Sequence, residues 1–458
     1  MSDRIERDSM GEVSVPAAAL YGAQTQRAVN NFGLHRHTMP PAFIGNLAMI
    51  KSAAAQANAG CGALPAAFAD AISEAAATVM AGGLEDQFPV SLFQTGSGTS
   101  SNMNMNEVLA RLASDACGEA VHPNDHVNCS QSSNDMIPSC ILVTAARDLH
   151  EQLLPALREL IAVVGERADE LQALTKTGRT HLMDAMPLTF GQELGAWAYQ
   201  LRECEQRFGD LQPRLRQLPL GGSAVGTGVN VPAGFAAQMA RQLQQLSGLD
   251  FEVSPNPYAR MAGQDVPLEC SAALRSLAVV LSKVNNDLRW MASGPLSGLA
   301  EIELEALQPG SSIMPGKVNP VLPEAVLMVA AEVIGGDTSV ALAAQSGSFQ
   351  LNVMLPLIAG RLSSGCETLS WACRACAATI AGFRVNEARI AASLASNPIL
   401  VTALNTTIGY EAAASIAKRS YAEQRPVIDV AVEETGIARE ELRQLLDPYQ
   451  LTRGAERG

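Results

Sequence analysis

Apolar residues recur at three- and four-residue steps along most of this chain, and short polar islands separate the apolar stretches. In "ILVTAARDLHEQLLPALRELIAVVGERADELQAL" the residues Leu149, Leu153, Leu157, Leu160, Val164, Ala168 and Leu171 form one stripe. That period predicts an amphipathic helix from about Ser139 onward, with Pro155 as a bend. A second helix is predicted over "FGQELGAWAYQLRECEQRFGDLQPRLRQL", which ends in the Gly-rich "PLGGSAVGTGVN". A third runs from Pro267 to Ser293 through Leu274, Leu277, Leu281, Val284 and Leu288. A fourth starts after Pro323, with Gly335-Gly336 expected to interrupt it, and a fifth covers roughly Met354 to Ile380. Before Ser132 the pattern reads as short helices mixed with loops. Near "ASNPILVTALN" a small region with denser charge begins. Several long helices in one region predict a bundle. The expected organisation is mainly α: a mixed helical region over 1–131, a helical bundle over 132–388 and a small C-terminal region over 389–458.

Composition sharpens this picture. Apolar residues make up 47% of the 458 positions but aromatics only 4%, so the core must be built from Ala, Leu, Val, Ile and Met on closely packed helices. The net charge of −14, with no Lys/Arg run, excludes a nucleic-acid face. The opening "MSDRIERDSMGEVSVP" is charged and lacks an apolar core, so no signal peptide is expected. No membrane span is expected either. Nine cysteines, an odd and scattered set, point to a reducing, cytoplasmic compartment. Cys373 and Cys376 stand one helical turn apart with no second Cys or His pair, which reads as two buried thiols. No metal is proposed on them.

The polar islands carry the candidate chemistry. They are "TGSGTSSNMNMNEV" from Thr95, "HPNDHVNCSQSSNDMIPS" from His122, "TGRTHLMDAMPLTFGQE" from Thr177 and "GSSIMPGKVNP" from Gly310. Two nucleotide motifs fail on inspection. Gly96-Ser97-Gly98 begins like a dinucleotide fingerprint, but Ser101 stands at the third glycine and no strand precedes it. Gly310 to Lys317 mimics a phosphate loop with one residue too many, and Val318 replaces the hydroxyl that would hold magnesium. Helix ends give a better account. Ser97 and Thr99 precede one helical run and Ser132 and Ser133 another, while Thr180 lies in a turn. A hydroxyl at any one of these could simply cap a helix. Three such islands with Lys317 on a fourth also form a carboxylate cradle of hydroxyls, amides and free N–H groups. His181 is one of six histidines and lies in an island rather than on an apolar face. Its ordinary pKa suits proton transfer in either direction.

These islands, with the opening "DSMGEVSVPAAALYGAQTQRAVNNF", closely resemble the class II fumarases of the fumarase/aspartase superfamily, over nearly the whole chain. His181, Gly316 and Ser132-Ser133-Asn134 look like fumarase choices, since aspartases typically carry Gln, Ala and Ser-Thr-Asn there. The resemblance implies a three-domain, mostly helical subunit whose central bundles assemble into a homotetramer, each active site gathering islands from three subunits. It implies reversible hydration of fumarate to (S)-malate through an aci-carboxylate intermediate, with no cofactor. An ammonia-lyase on the same scaffold and a catalytically silent structural member are the alternatives.

Residue by residue, the resemblance makes Ser311 the base that takes the C3 proton and His181 the group that protonates the leaving hydroxyl through water. Glu324 becomes the acid partner of His181. The dicarboxylate would be held by Ser97, Gly98, Thr99, Ser132, Ser133, Asn134, Thr180, Ser312, Lys317, Val318 and Asn319, with Lys317 and Asn319 facing the charge that develops. Read without the resemblance, Glu324 is a first-turn helix charge. The family's second dicarboxylate site uses the turn His122, Pro123, Asn124 and Asp125. This chain departs from the pattern by carrying Glu119-Ala120-Val121 where basic residues often precede it, so here the stretch also reads as a plain turn.

Overall fold

Stretches rich in Ala and Leu and poor in β-branched residues favour helix. In the computed structural model, which describes residues 3–34 and 36–454, they become α1 (Pro41–Gly60), α2 (Ala66–Met80), α3 (Thr99–Cys117), α4 (Ser133–Asp148), α5 (Leu154–Glu170), α6 (Phe190–Leu215), α7 (Asp265–Met291), α8 (Val321–Ala344) and α9 (Leu355–Gly382). Among the described residues, strands occur only in two-stranded pairs. The longer ones are the hairpin Asp3–Asp8 with Gly11–Pro16, and the hairpin of β1 (Thr175–Thr180) with β2 (Met183–Thr189). The fold is mainly α.

The predicted stripes are the buried faces. Leu149, Leu153, Leu157, Leu160 and Val164 are fully buried, as are Leu277, Leu281, Val284 and Leu288. Cys373 and Cys376 lie buried on α9, and burial pushes the Cys376 thiol up to about 12.

Four expectations need correction. The helix expected from Ser139 starts six residues earlier, because Ser132 and Asp135 form a capping box around its first turn. The same rod does not simply bend at Pro155. Residues Leu149–Leu153 take a wider π turn just before it, which carries the hydrogen-bond ladder past a residue with no N–H. Gly335-Gly336 does not interrupt α8. Buried Val333, Asp337 and Val340 hold that segment helical, outweighing a propensity loss of about 1 kcal/mol per glycine. The N-terminal region is not made of short helices: α1 has 20 residues and α3 has 19. α1 buries Phe43, Leu47, Ile50 and Ala54 but also Asn46, Lys51 and Asn58, so it shows no amphipathic period to read.

The chain divides into two compact units. The first comprises the residues up to Pro155 with Cys204–Ala278 and Val329–Trp371. Within it α1 packs on α2 and on the helix Phe235–Ser247, and α2 packs on α3. Small side chains allow this; Ala48, Ala53, Ala54 and Ala57 are wholly buried. The second unit comprises Ala156–Glu203, Val279–Met328 and the chain from Ala372 onward. There β1 lies against the helix Glu387–Ala395, and Leu400, Leu404, Ile416, Val430 and Leu442 form a small separate core.

α8 departs from the expectation of no membrane-length apolar segment. Its mean hydropathy is 1.6 over a window long enough to cross a bilayer, yet only 28% of that window is buried. It carries Glu324, Glu332 and Asp337, and Met328 and Leu342 are exposed on it.

In the first unit α8 is fastened to α7 by Asp337, which is buried and accepts from the Ser271 hydroxyl at 2.7 Å and the Arg275 guanidinium at 2.5 Å. Asp337→Ala leaves both donors without their acceptor. The expected loss is about 1–3 kcal/mol of stability, read as a lower urea midpoint at unchanged slope.

Candidate active site

The hairpin of β1 and β2 carries His181 at its tip. Thr180 pairs with Met183, so His181 and Leu182 are the two loop residues. Their φ angles are +57° and +61°. A two-residue turn of this kind requires positive φ at both positions and is normally made by Asn-Gly. A branched or bulky residue there costs about 1–2 kcal/mol, and such outliers concentrate at functional sites. Thr180, His181 and Leu182 are all exposed.

Below the tip, the legs of the hairpin are clamped by buried charge. Lys176 is 1% exposed, and its Nζ pairs with Glu193 at 2.8 Å and Glu301 at 2.7 Å. The ammonium also lies 4.5 Å from the centre of the Phe190 ring. Arg179, two residues before His181, pairs with the other oxygen of Glu301 at 2.7 Å. Burial alone would raise the Glu301 carboxyl, but Arg179 and Lys176 hold it below the usual carboxylate range. The register shifts between Thr177 and Arg179. Gly178 sits in that bulge because a Cβ there would lie 2.5 Å from the carbonyl of Met186.

The Gly310–Asn319 loop closes on itself. The Gly310 N–H donates to the Lys317 carbonyl at 3.0 Å, and the Asn319 amide donates to the Gly310 carbonyl at 2.6 Å. A Cβ at Gly310 would lie 2.1 Å from the Lys317 carbonyl, so only glycine permits the closure. Inside it, the Ser311 Oγ accepts from the backbone N–H groups of Ile313 at 3.2 Å and Met314 at 3.1 Å. Donors aimed at a hydroxyl oxygen favour its ionised form. Lys317 is exposed and, among the described residues, has no ion-pair partner. Ser312 and Val318 are also exposed, and Glu324 stands exposed in the first turn of α8. The Asn319 amide latches the loop. Among the described residues, His181 and Glu324 share no hydrogen bond or ion pair.

In the first unit, two islands meet. Gly98 ends the approach to α3 with φ +73°, and a Cβ there would strike Ile137 on α4 at 2.9 Å. Gly96 is pressed still harder, since a Cβ would lie 1.6 Å from the Val353 carbonyl. No side chain caps α3, and the Ser97 and Thr99 hydroxyls share a hydrogen bond of 2.8 Å. Among the described residues, nothing accepts from the N–H groups of Thr99 and Ser100. Ser132 does cap α4, accepting from the Asn134 N–H at 3.2 Å. Ser133 is buried beside it, and the Asn134 amide donates to the Ala224 carbonyl at 2.9 Å.

The His122-to-Asp125 stretch is a turn held from within, since the Asp125 N–H donates to His122 Nδ1 at 3.1 Å. His122, Pro123 and Asn124 border a cavity of about 500 Å3 that Arg7 and Arg111 also line. Glu6, Asp8, Glu107 and Asp115 line the same cavity, so its wall carries both signs of charge. Arg111 lies eleven residues upstream of His122, where spacing alone gives no signal.

Comparison with known proteins gives consistent relationships. A family described as Lyase matches residues 11–335, and one described as Fumarase C C-terminus matches residues 400–453. The chain is 55% identical over 452 residues to fumarate hydratase class II 2 of Pseudomonas aeruginosa, covering 98% of this chain and 99% of that protein. It is 44% identical to the class II fumarate hydratase of Thermus thermophilus, over the full length of both. The crystal structure of class II fumarase from Schistosoma mansoni superposes with a TM-score of 0.95 at 36% identity, covering 98% of this chain and 99% of that one.

Strain at the hairpin tip can be measured. Leu182→Gly removes the left-handed penalty at one position and is expected to raise stability by about 1 kcal/mol, the steric relief exceeding the extra chain entropy of glycine. A lower melting temperature for Leu182→Gly would mean that the side chain, rather than the turn, sets the energy there.

Proposed function

The chain belongs to the class II fumarate hydratase family, and on that premise we propose that it interconverts fumarate and (S)-malate by acid–base catalysis on its polar loops. The observation that carries the reading is the Ser311 hydroxyl, which receives two backbone N–H groups in a loop that also presents Lys317. In the elimination direction, a C–H next to a carboxylate must lose its proton, and a free serine is a poor base for that step. Two N–H dipoles favour its alkoxide, and Lys317 brings a positive charge on the same loop. Lys317 then faces the charge that accumulates on the aci-carboxylate, where preorganised donors contribute most. His181 delivers the proton that lets hydroxide leave as water, from a turn whose legs the Lys176–Glu301 cluster fixes. Glu324 serves as the acid partner of His181 in that transfer. Ser97, Thr99, Ser132, Ser133 and Asn134 supply neutral donors for the substrate carboxylates, with Thr180 and Ser312 beside them.

The same reading includes a homotetramer with sites shared between copies. Two observations support it. His181 and Glu324 do not meet within one chain, and only 28% of the apolar window of α8 is buried. Ile313 is 82% exposed and Met314 and Val318 are exposed beside Lys317, so a second copy covering them would also exclude water from the loop. We place the enzyme in the cytoplasm, since nine scattered cysteines, an odd number, suit a reducing compartment.

Loss of fumarate absorbance, with malate formed in equal amount, tests the activity. Purified protein is expected to give it with EDTA present and without ammonium; fumarate loss that requires ammonium and yields aspartate would assign the chain to the ammonia-lyases. Ser311→Ala is expected to lower kcat by about 10²–10⁴-fold, the usual contribution of a positioned base, with the melting temperature unchanged. Retention of more than half the activity would make Ser311 a loop residue only.

Assembly is tested separately. Met328→Glu with Leu342→Glu places charge on the exposed apolar positions of α8, and sedimentation is expected to show the tetramer falling to smaller species with activity lost in proportion. A double variant that stays tetrameric would place the interface elsewhere.

A further inference from the structure

We propose that Asp135 is a positioning residue for this reaction: it holds the Ser132-Ser133-Asn134 turn open as a rigid cradle for a substrate carboxylate. The proposal rests on the hydration reading above. Asp135 is wholly buried in the first turn of α4. One oxygen accepts from the Ser132 N–H at 3.0 Å, and the other accepts from the Ser223 N–H at 2.8 Å. Ser223 lies in the Gly-rich stretch between α6 and the helix Phe235–Ser247, with φ +56°. The Asn134 amide bond to the neighbouring Ala224 carbonyl is a second tether between the same two segments. The turn is therefore fixed by two hydrogen bonds to a loop far away in sequence. Among the described residues, the N–H of Ser133 has no acceptor. A helix start with a free N–H, held still, is suited to an anion.

A carboxylate under an anion cradle would ordinarily repel the ligand. Lys51 removes that objection. It is wholly buried, and its Nζ is held by Asn128 Oδ1 at 3.0 Å and Gln131 Oε1 at 2.9 Å, both neutral. Burial pushes Lys51 down to about 7 and Asp135 up to about 7, with each charge countering the shift of the other. A buried ammonium near the carboxylate offsets the negative charge that a ligand would otherwise meet. Asn128 also accepts from Asn102 and Asn106 at 3.1 Å, which ties α3, with its own uncapped start, into the same support.

Steady-state kinetics on the full-length enzyme test this. Asp135→Asn keeps the shape of the side chain but removes one acceptor. It is expected to raise both KM for malate and the inhibition constant of succinate, a dicarboxylate that cannot react, by about tenfold, while kcat falls by less than about threefold. Asp148→Asn is the structural comparison. Asp148 is a buried carboxylate at the far end of α4, bound to Ser363 at 2.9 Å and remote in sequence from the turn. That variant is expected to lower the melting temperature and leave the succinate constant unchanged. If Asp135→Asn does not fold, Lys51→Met is read in the same assay. It strands the carboxylate, which takes up a proton, and the same rise in KM and succinate constant is expected. An unchanged succinate constant in the folded variant, with hydration intact in wild type, overturns the positioning role alone. Absence of fumarate hydration by the wild type overturns the reading beneath it, and the proposal with it.

Discussion

A dianion has to be held by a chain whose own net charge is −14, and that constraint shapes the polar islands. An array of lysines and arginines would meet it crudely. This chain offers oriented N–H groups at turns and helix starts, with one exposed lysine among them. Backbone donors add no formal charge and no side-chain entropy loss, and their dipoles are fixed before the ligand arrives. The cost falls on the backbone, which must come unusually close to other atoms. That is why Gly96, Gly98 and Gly310 have room for no side chain: each missing Cβ would lie within 3 Å of another group. The glycines are a consequence of that close approach.

The histidine is handled differently. Its turn is strained at two successive residues, and strain persists only where the surroundings over-determine it. Here the surroundings are two cations and two carboxylates packed under the hairpin. A buried ion cluster is a weak source of net stability, because desolvation offsets much of the attraction. Its geometry is nonetheless specific, since Glu301 divides its two oxygens between Lys176 and Arg179. A single slip of the hairpin register would leave a buried ammonium without its carboxylate. Specificity of register, rather than stability, is what the cluster contributes to the tip.

The long helices were legible because their apolar stripes survive folding as buried faces: Leu274, Leu277, Leu281, Val284 and Leu288 do what their spacing says. α1 was not legible as a long helix, since a helix buried on all sides has no period. The π turn before Pro155 was not legible either, because sequence shows the missing N–H but not how the ladder passes it. At the site, residue types in the islands could be read, but hydrogen-bond partners could not. The sequence shows an asparagine beside Lys317 but not that its amide donates to the Gly310 carbonyl. Arg7 and Arg111 line one cavity with the His122 turn, as do Glu6, Asp8, Glu107 and Asp115, and local spacing carries no trace of that.

Loop and helix are coupled by continuity. The Gly310–Asn319 loop runs directly into α8, and both expose apolar side chains: Ile313, Met314 and Val318 on one, Met328 and Leu342 on the other. In the assembly proposed above, these side chains are the ones that a second copy covers. Covering is worth roughly 25 cal/mol for each Å2 removed from water. It opposes the self-repulsion of an acidic chain, which grows with each added copy. In the proposed assembly one act of burial does two things. It supplies the association energy along α8, and it dries the loop in which Ser311 and Lys317 must work. A catalytic loop placed at the mouth of an interface helix would therefore be wet and poorly screened in the monomer. It would gain its electrostatic strength only in the oligomer, since the same dipoles act more strongly where water is excluded.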